Sequence, residues 1–238
     1  MNGDRRNRVE EFYELLAELE TRVGGRRRLR ESRGRMGWPS RGVYFFFEDR
    51  EVREDGTSPR VVRVGTHALT ETSRTTLWQR LAQHRGNVAG TSPGGGNHRG
   101  SIFRRHVGSA LLAGDQWPPE IRGTWGIGSS GDAITKIGEY PLERAVSAYI
   151  GNMPFLWLDV DDAPGSASHR GLIERGSIRL LSNFGKSPID PPSLGWLGRQ
   201  APSPHVQASG LWNVRHVDEV QEEEFLETLR RRVRSSSP

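Results

Sequence analysis

Near the start of the chain Val9, Phe12, Leu15, Leu16, Leu19 and Val23 recur at helical spacing, which predicts an amphipathic helix over residues 7–23. Gly24 and Gly25 end it, and a basic linker follows, GRRRLRESRGRMGWPSR. That linker reads either as a solvated connection or as an arm that meets phosphates. The period then changes. GVYFFFE (42–48) and RVVRVG (60–65) are rich in aromatic and β-branched residues and predict two buried strands. The polar segment between them contains Gly56 and Pro59 and suits a hairpin connection. A helix over about 75–85 carries Leu77, Trp78 and Leu81 on its packing side.

Residues 86–100 read as loop, and a helix is expected over Ser101–Leu112. A Pro/Gly/Trp-rich irregular segment runs on to about Gly138, then a helix over 141–151. PFLWLDV (154–160) predicts a strand, and a helix follows over about Ser168–Ser182. Region 183–210 reads as an ordered loop or crossover, and GLWNVRHV (210–217) as a short strand. The last helix has Glu222–Glu224 near its start and Arg230–Arg232 near its end, complementing the helix dipole. The sum is a mixed α/β (α+β) domain with a small, mainly antiparallel three-stranded sheet flanked by helices, elaborated by helical and loop insertions. Its expected organisation is an N-terminal helix and linker (1–40), a central domain (41–217) with an insertion at about 86–153, and a charged C-terminal helix (218–238).

Composition narrows the function. The 238-residue chain is 34% hydrophobic and 26% charged, with seven Trp and eight Phe residues to anchor a core. No apolar run approaches the roughly 20 residues of a bilayer span, and the N-terminus lacks a secretory pattern. With no cysteine, disulfides, thiolate zinc sites and a cysteine nucleophile are excluded. A cytoplasmic, reducing location is expected. The net charge of +5, carried mostly by arginine, favours an anionic partner, because a guanidinium fork binds phosphate bidentately. Charge alone leaves open a basic surface kept for solubility.

Common catalytic signatures fail. FGKS (184–187) has Leu180 where a P-loop needs its first glycine. DVDD (159–162) places Pro164 and Arg170 at the sixth and twelfth positions of a calcium loop. HExxH is missing. What remains is an ordered set: GVY on a first strand, RVG ending a second, LWQRLAQH on a helix, a third strand, then LIERGSIRLLSN on a helix. This succession resembles the GIY-YIG nuclease family over about residues 41–85 and 154–183, and over 210–214. Gly42-Val43-Tyr44 matches the first signature and Val64-Gly65 the end of the second, whose tyrosine position holds Arg63. Arg80 matches the helix arginine, His84 the histidine often found four residues later, and Glu174 the carboxylate of the last core helix. Asn183 and Asn213 compete for the family's asparagine, with Asn213 preferred.

The resemblance implies a DNA endonuclease using Mg²⁺ or Mn²⁺ and leaving 5′-phosphate and 3′-hydroxyl ends. Tyr44 would be the general base or position the water, and Arg80 would hold the phosphate. Glu174 would ligate the metal, and it shares a helix face with Ile178 and Leu181. A phenol titrates near pH 10, so its role as a base needs cationic neighbours. Arg63 either supplies that field or marks lost machinery. His84 can hold phosphate, relay a proton or be structural, and His67 is a further candidate for proton transfer. In the insertion, GGGNHRGSIFRRHVG offers His98, Arg99, Arg104 and Arg105 for DNA contact. The rival readings are a non-catalytic nucleic-acid-binding module on a degenerate core, and an interaction protein recruiting a partner through its last helix. Oligomeric state is not legible.

Overall fold

The computed structural model describes residues 2–114, 116–219 and 224–236. Among these, eight helices surround one four-stranded antiparallel sheet of order β1-β4-β2-β3. The strands are β1 (Arg27–Arg28), β2 (Gly42–Val52), β3 (Pro59–Gly65) and β4 (Pro154–Asp159). The helices are α1 (Asn2–Arg22), α2 (Leu77–Arg85), α3 (Ile102–Leu111), α4 (Pro119–Thr124), α5 (Ala133–Asn152), α6 (His169–Leu181), α7 (Pro204–Ser209) and α8 (Glu224–Ser235).

Strand β2 is buried from Gly42 to Phe47, so alternate residues serve two cores. Val43, Phe45 and Phe47 face α1, α6 and α8, together with Leu156 and Leu158 of β4. Tyr44 and Phe46 face the opposite layer, with Leu77 and Leu81 of α2, Phe103 of α3, Val146 of α5 and Trp212. The register pairs Tyr44 with Gly65 on one side and Trp157 on the other. A β-carbon at Gly65 would run into the Tyr44 ring. That explains the glycine ending the second motif: it leaves room for the phenol to lie across β3.

Four expectations are corrected. The sheet has four strands, because the basic linker supplies β1. Three of its arginines are spent within the protein: Arg28 pairs with Asp49 (2.9 Å), Arg26 with Glu20 (2.6 Å), and Arg27 lies over Trp157 (4.5 Å). The insertion is more helical than its Pro/Gly content suggests. Helix α5 begins at Ala133, capped by the Asp132 side chain accepting from Thr135 N (2.7 Å), and runs through Pro141. Region 183–210 includes α7 as well as loop. Residues 210–217 form no strand. They nevertheless cover the outer edge of β3: Trp212 N donates to Val62 O (2.7 Å), and the Asn213 amide takes both the N–H (3.1 Å) and the C=O (2.9 Å) of Val64. A side-chain amide there replaces a strand's backbone.

Helix α8 braces α6. Phe225 lies against Gly176, where a β-carbon would enter its ring. Of the acidic start expected for the last helix, Glu222 and Glu223 lie outside the described residues. Because Gly176 is two residues past Glu174, this contact sets the depth of α6 below β3. Gly176→Ala is expected to lower stability by about 1–3 kcal/mol by overpacking, read as a shifted urea midpoint at unchanged slope. Combined with Phe225→Ala, it should cost less than the sum of the two changes, since the new methyl occupies vacated space.

Candidate active site

Five stretches of chain meet at one cavity of about 560 Å³. Strand β3 contributes Arg63 and, just beyond its end, Thr66 and His67; α2 contributes Arg80; α6 contributes Glu174 and Ile178; and the segment after Trp212 contributes Asn213, Arg215 and His216. The insertion closes the wall with Arg99, Gly100 and Ile102. Arg80 and Glu174, distant in sequence, thus line the same hollow, and Glu174 shares it with Ile178 one turn on.

Tyr44 stands one layer behind. It is fully buried, and its hydroxyl is 2.7 Å from His84 Nε2. The other ring nitrogen of His84 is 2.9 Å from Ser101 Oγ, so a hydrogen-bonded line runs Tyr44–His84–Ser101 from the sheet into the insertion. Burial holds the His84 pKa well below its ordinary value, and Arg80, Arg63 and Arg104 push the same way, so the ring is neutral. Arg63 shares a sheet face with Tyr44 and lies between it and the cavity. It is itself buried, donating to Trp212 O (2.8 Å) and resting over the Phe103 ring (4.7 Å), and its Nε has no partner. Burial lowers its pKa while the neighbouring Tyr44 and Glu174 raise it.

Glu174 accepts from Thr66 N through Oε1 (3.1 Å), and among the described residues Oε2 has no hydrogen-bond partner. Burial raises its pKa above the ordinary carboxyl value, against the pull of Arg63, His216 and Arg80. Arg80 donates to Gln83 (2.9 Å) and makes a long contact with Gly100 O (3.4 Å), and is free of any carboxylate. Among the described residues no group of three His, Cys, Asp or Glu side chains gathers as a metal cluster. The oxygen donor available to a hard divalent ion is the open Oε2 of Glu174. One carboxylate is a fitting donor set for Mg²⁺, which keeps most of its waters.

Other expected residues have different positions. His67 lines the cavity, but Nδ1 donates to Thr75 O (2.7 Å) and Nε2 accepts from Gly42 N (3.3 Å); burial pushes its pKa down to about 4. It shapes the wall and has no lone pair to offer. Asn213 reaches the cavity with its amide committed to β3. Asn183 lies elsewhere, accepting from Ile189 N (2.9 Å) and Arg5 (3.1 Å). His98 is buried against Trp125 and bonded to Glu143 (2.9 Å), while Arg104 is fully buried and bonded to Glu143 (3.1 Å) and to His84 O (2.8 Å). Their expected DNA contact therefore gives way to a structural role, since opening such a pair costs about 3–5 kcal/mol. Arg99 lies at the cavity wall but is clamped by Glu139 (2.6 Å). Arg105 is partly exposed on α3 and lies outside the cavity lining.

Sequence reading missed Thr66, Arg215 and His216. Arg215 is exposed at the rim, and His216 holds a left-handed φ of 64° with Nδ1 2.7 Å from Glu219. A non-glycine residue in that region costs about 1–3 kcal/mol and clusters at functional sites. The signal available was Arg-His two and three residues after the candidate Asn213.

An arginine-rich cavity with one open carboxylate, set on an antiparallel sheet beside a glycine-flanked tyrosine, is the candidate site of this α+β domain. The chain belongs to the GIY-YIG domain family, a nuclease-type family, whose match extends over residues 3–238. That span includes α1, the insertion and α8 as well as the motif-bearing core. Searches of curated proteins and of solved structures returned no significant match.

The raised pKa of Glu174 has a thermodynamic consequence. A carboxyl whose folded pKa exceeds its ordinary 4.5 destabilises the fold as pH rises, because the folded state must bury the ionised form. Glu174→Gln, which keeps the acceptor for Thr66 N, is expected to raise Tm at pH 7–8. The gain should vanish below about pH 4.5, where the carboxyl is protonated folded or unfolded. Equal Tm values at both pH values would refute the assigned burial of charge.

Proposed function

We propose that the protein is an endonuclease that hydrolyses phosphodiester bonds in DNA, with Mg²⁺ or Mn²⁺ bound through Glu174. The observation carrying this reading is the convergence of Arg63, Arg80 and Glu174 on one cavity, with the Tyr44–His84 pair directly behind it. A divalent ion bound at Glu174 supplies positive charge that polarises the phosphate and steadies the departing oxygen. Arg80, permanently charged and free of any carboxylate, binds the scissile phosphate and meets the negative charge that grows during attack. Arg63 presents its unpartnered Nε to the same anion, and as it engages phosphate it opens the way from the cavity to the Tyr44 oxygen. The phenol then takes a proton from the attacking water while passing its own to neutral His84. Arg99 and Gly100 keep bulk water from one side of the cavity.

Replacement of the family's second tyrosine by Arg63 is the one observation favouring the rival reading, a nucleic-acid-binding module without catalysis. Plasmid nicking with Mg²⁺ separates the two. Tyr44→Phe, Arg80→Ala and Glu174→Ala are each expected to slow nicking at least about 10²-fold, with circular dichroism unchanged. Full activity of Glu174→Ala would remove the assigned metal site. Plasmid binding by the wild type without any nicking would establish the rival.

A further inference from the structure

A second hollow of about 480 Å³ adjoins the first, and Thr75 lines both. Its wall carries Ser40, Arg41, Ser73, Arg74 and Thr76, residues for which neither the family motifs nor the proposed chemistry has a use. The backbone amides at the start of α2 are already taken. The Thr76 side chain accepts from Gln79 N, the Gln79 side chain accepts from Thr76 N, and Leu77 N donates to Ser40 O (3.0 Å). What the hollow offers a ligand is therefore side-chain charge and hydroxyl donors.

Among the described residues the exposed Arg74 side chain has no hydrogen-bond or ion-pair partner, while the partly buried Arg41 side chain is bonded only to the carbonyl of Asp162. Both line the hollow, and neither meets a carboxylate among the described residues. The carboxylate on its wall, Glu71, lies where this hollow meets another lined by Asp162 and Arg232, whereas Thr75 marks the side toward the catalytic cavity. Burial first, then Arg170, Arg41 and Arg80, lowers the pKa of His67, so Arg41 of this hollow and Arg80 of the first both lie within reach of that one ring.

We infer that the Arg41–Arg74 hollow is a subsite for a backbone phosphate flanking the scissile one, so that the cleaved strand runs from the Arg80–Glu174 cavity past Thr75 toward Arg74. This rests on the nuclease reading. A nucleic-acid backbone carries one charge per nucleotide, so a strand seated in the catalytic cavity must place a neighbouring phosphate at its exit, and guanidinium and hydroxyl groups are the usual partners of such positioning contacts. The subsite fixes the direction of the strand and carries no base information.

The test is the salt dependence of binding to a 30-base-pair mixed-sequence duplex, followed by fluorescence anisotropy in Ca²⁺. Arg74→Ala removes a side chain without protein partners, so folding is preserved. Arg50→Ala, an exposed arginine near the far end of β2, is the control. Losing one phosphate contact should lower the slope of log K against log[salt] by about 0.9 for Arg74→Ala, while Arg50→Ala leaves it unchanged. A slope unchanged in Arg74→Ala, or lowered equally in both variants, overturns the subsite and leaves the nuclease reading standing. No binding by the wild type overturns both, and Glu174→Gln, with nicking lost and the slope retained, shows that the two readings have been separated.

Discussion

The buried guanidinium of Arg104 holds the site together. It bonds the carbonyl of His84 at the end of α2, the carboxylate and carbonyl of Glu143 on α5, and Ser147 one turn further along α5. Glu143 is in turn satisfied by His98 at its other oxygen. Burial raises the Glu143 pKa, but the bonds from His98 and Arg104 outweigh it and hold the carboxyl below its usual value. This network ties three elements of the insertion to the helix that carries Arg80. It also places Ser101 against His84 and Arg99 at the cavity wall. The insertion thus belongs to the active-site scaffold and is no appendage to a minimal nuclease core.

The placement of charge follows from the same economy. Four arginines, Arg63, Arg80, Arg99 and Arg215, surround a single open carboxylate. Such a lining makes the hollow electropositive, which favours an anion. The site is electrostatically incomplete by itself. Arg63 is the clearest case: buried, with an unsatisfied Nε, it costs the folded protein stability.

Much of this was legible in the sequence. The change of period from α1 to β2, the glycine after Val64, and Glu174 on the face of Ile178 led to the sheet, the motif strands and the carboxylate. The rest was hidden for physical reasons. Arg104 and His98 look like surface charge because partners some forty residues away, on α5, cannot be read from local spacing. Residues 210–217 imitate a strand since Trp212 and Asn213 do lie along β3, but a side-chain amide performs half the pairing. The two-residue strand β1 is too short to show a period at all. Tyr44 was expected at the cavity and sits one layer behind, because Arg63 occupies the position between.

The covering of β3 has a consequence for the whole molecule. An outer strand with open amides and carbonyls is a template on which another chain can add. Here the seal over that strand and the rim of the catalytic hollow are one piece of polypeptide, Trp212 and Asn213 forming the first and Arg215 and His216 the second. Any opening wide enough to free the rim entirely would bare the sheet to a neighbouring molecule. Freedom of the rim and protection of that sheet edge are thereby set in competition, and the Asn213 amide ties the one to the other.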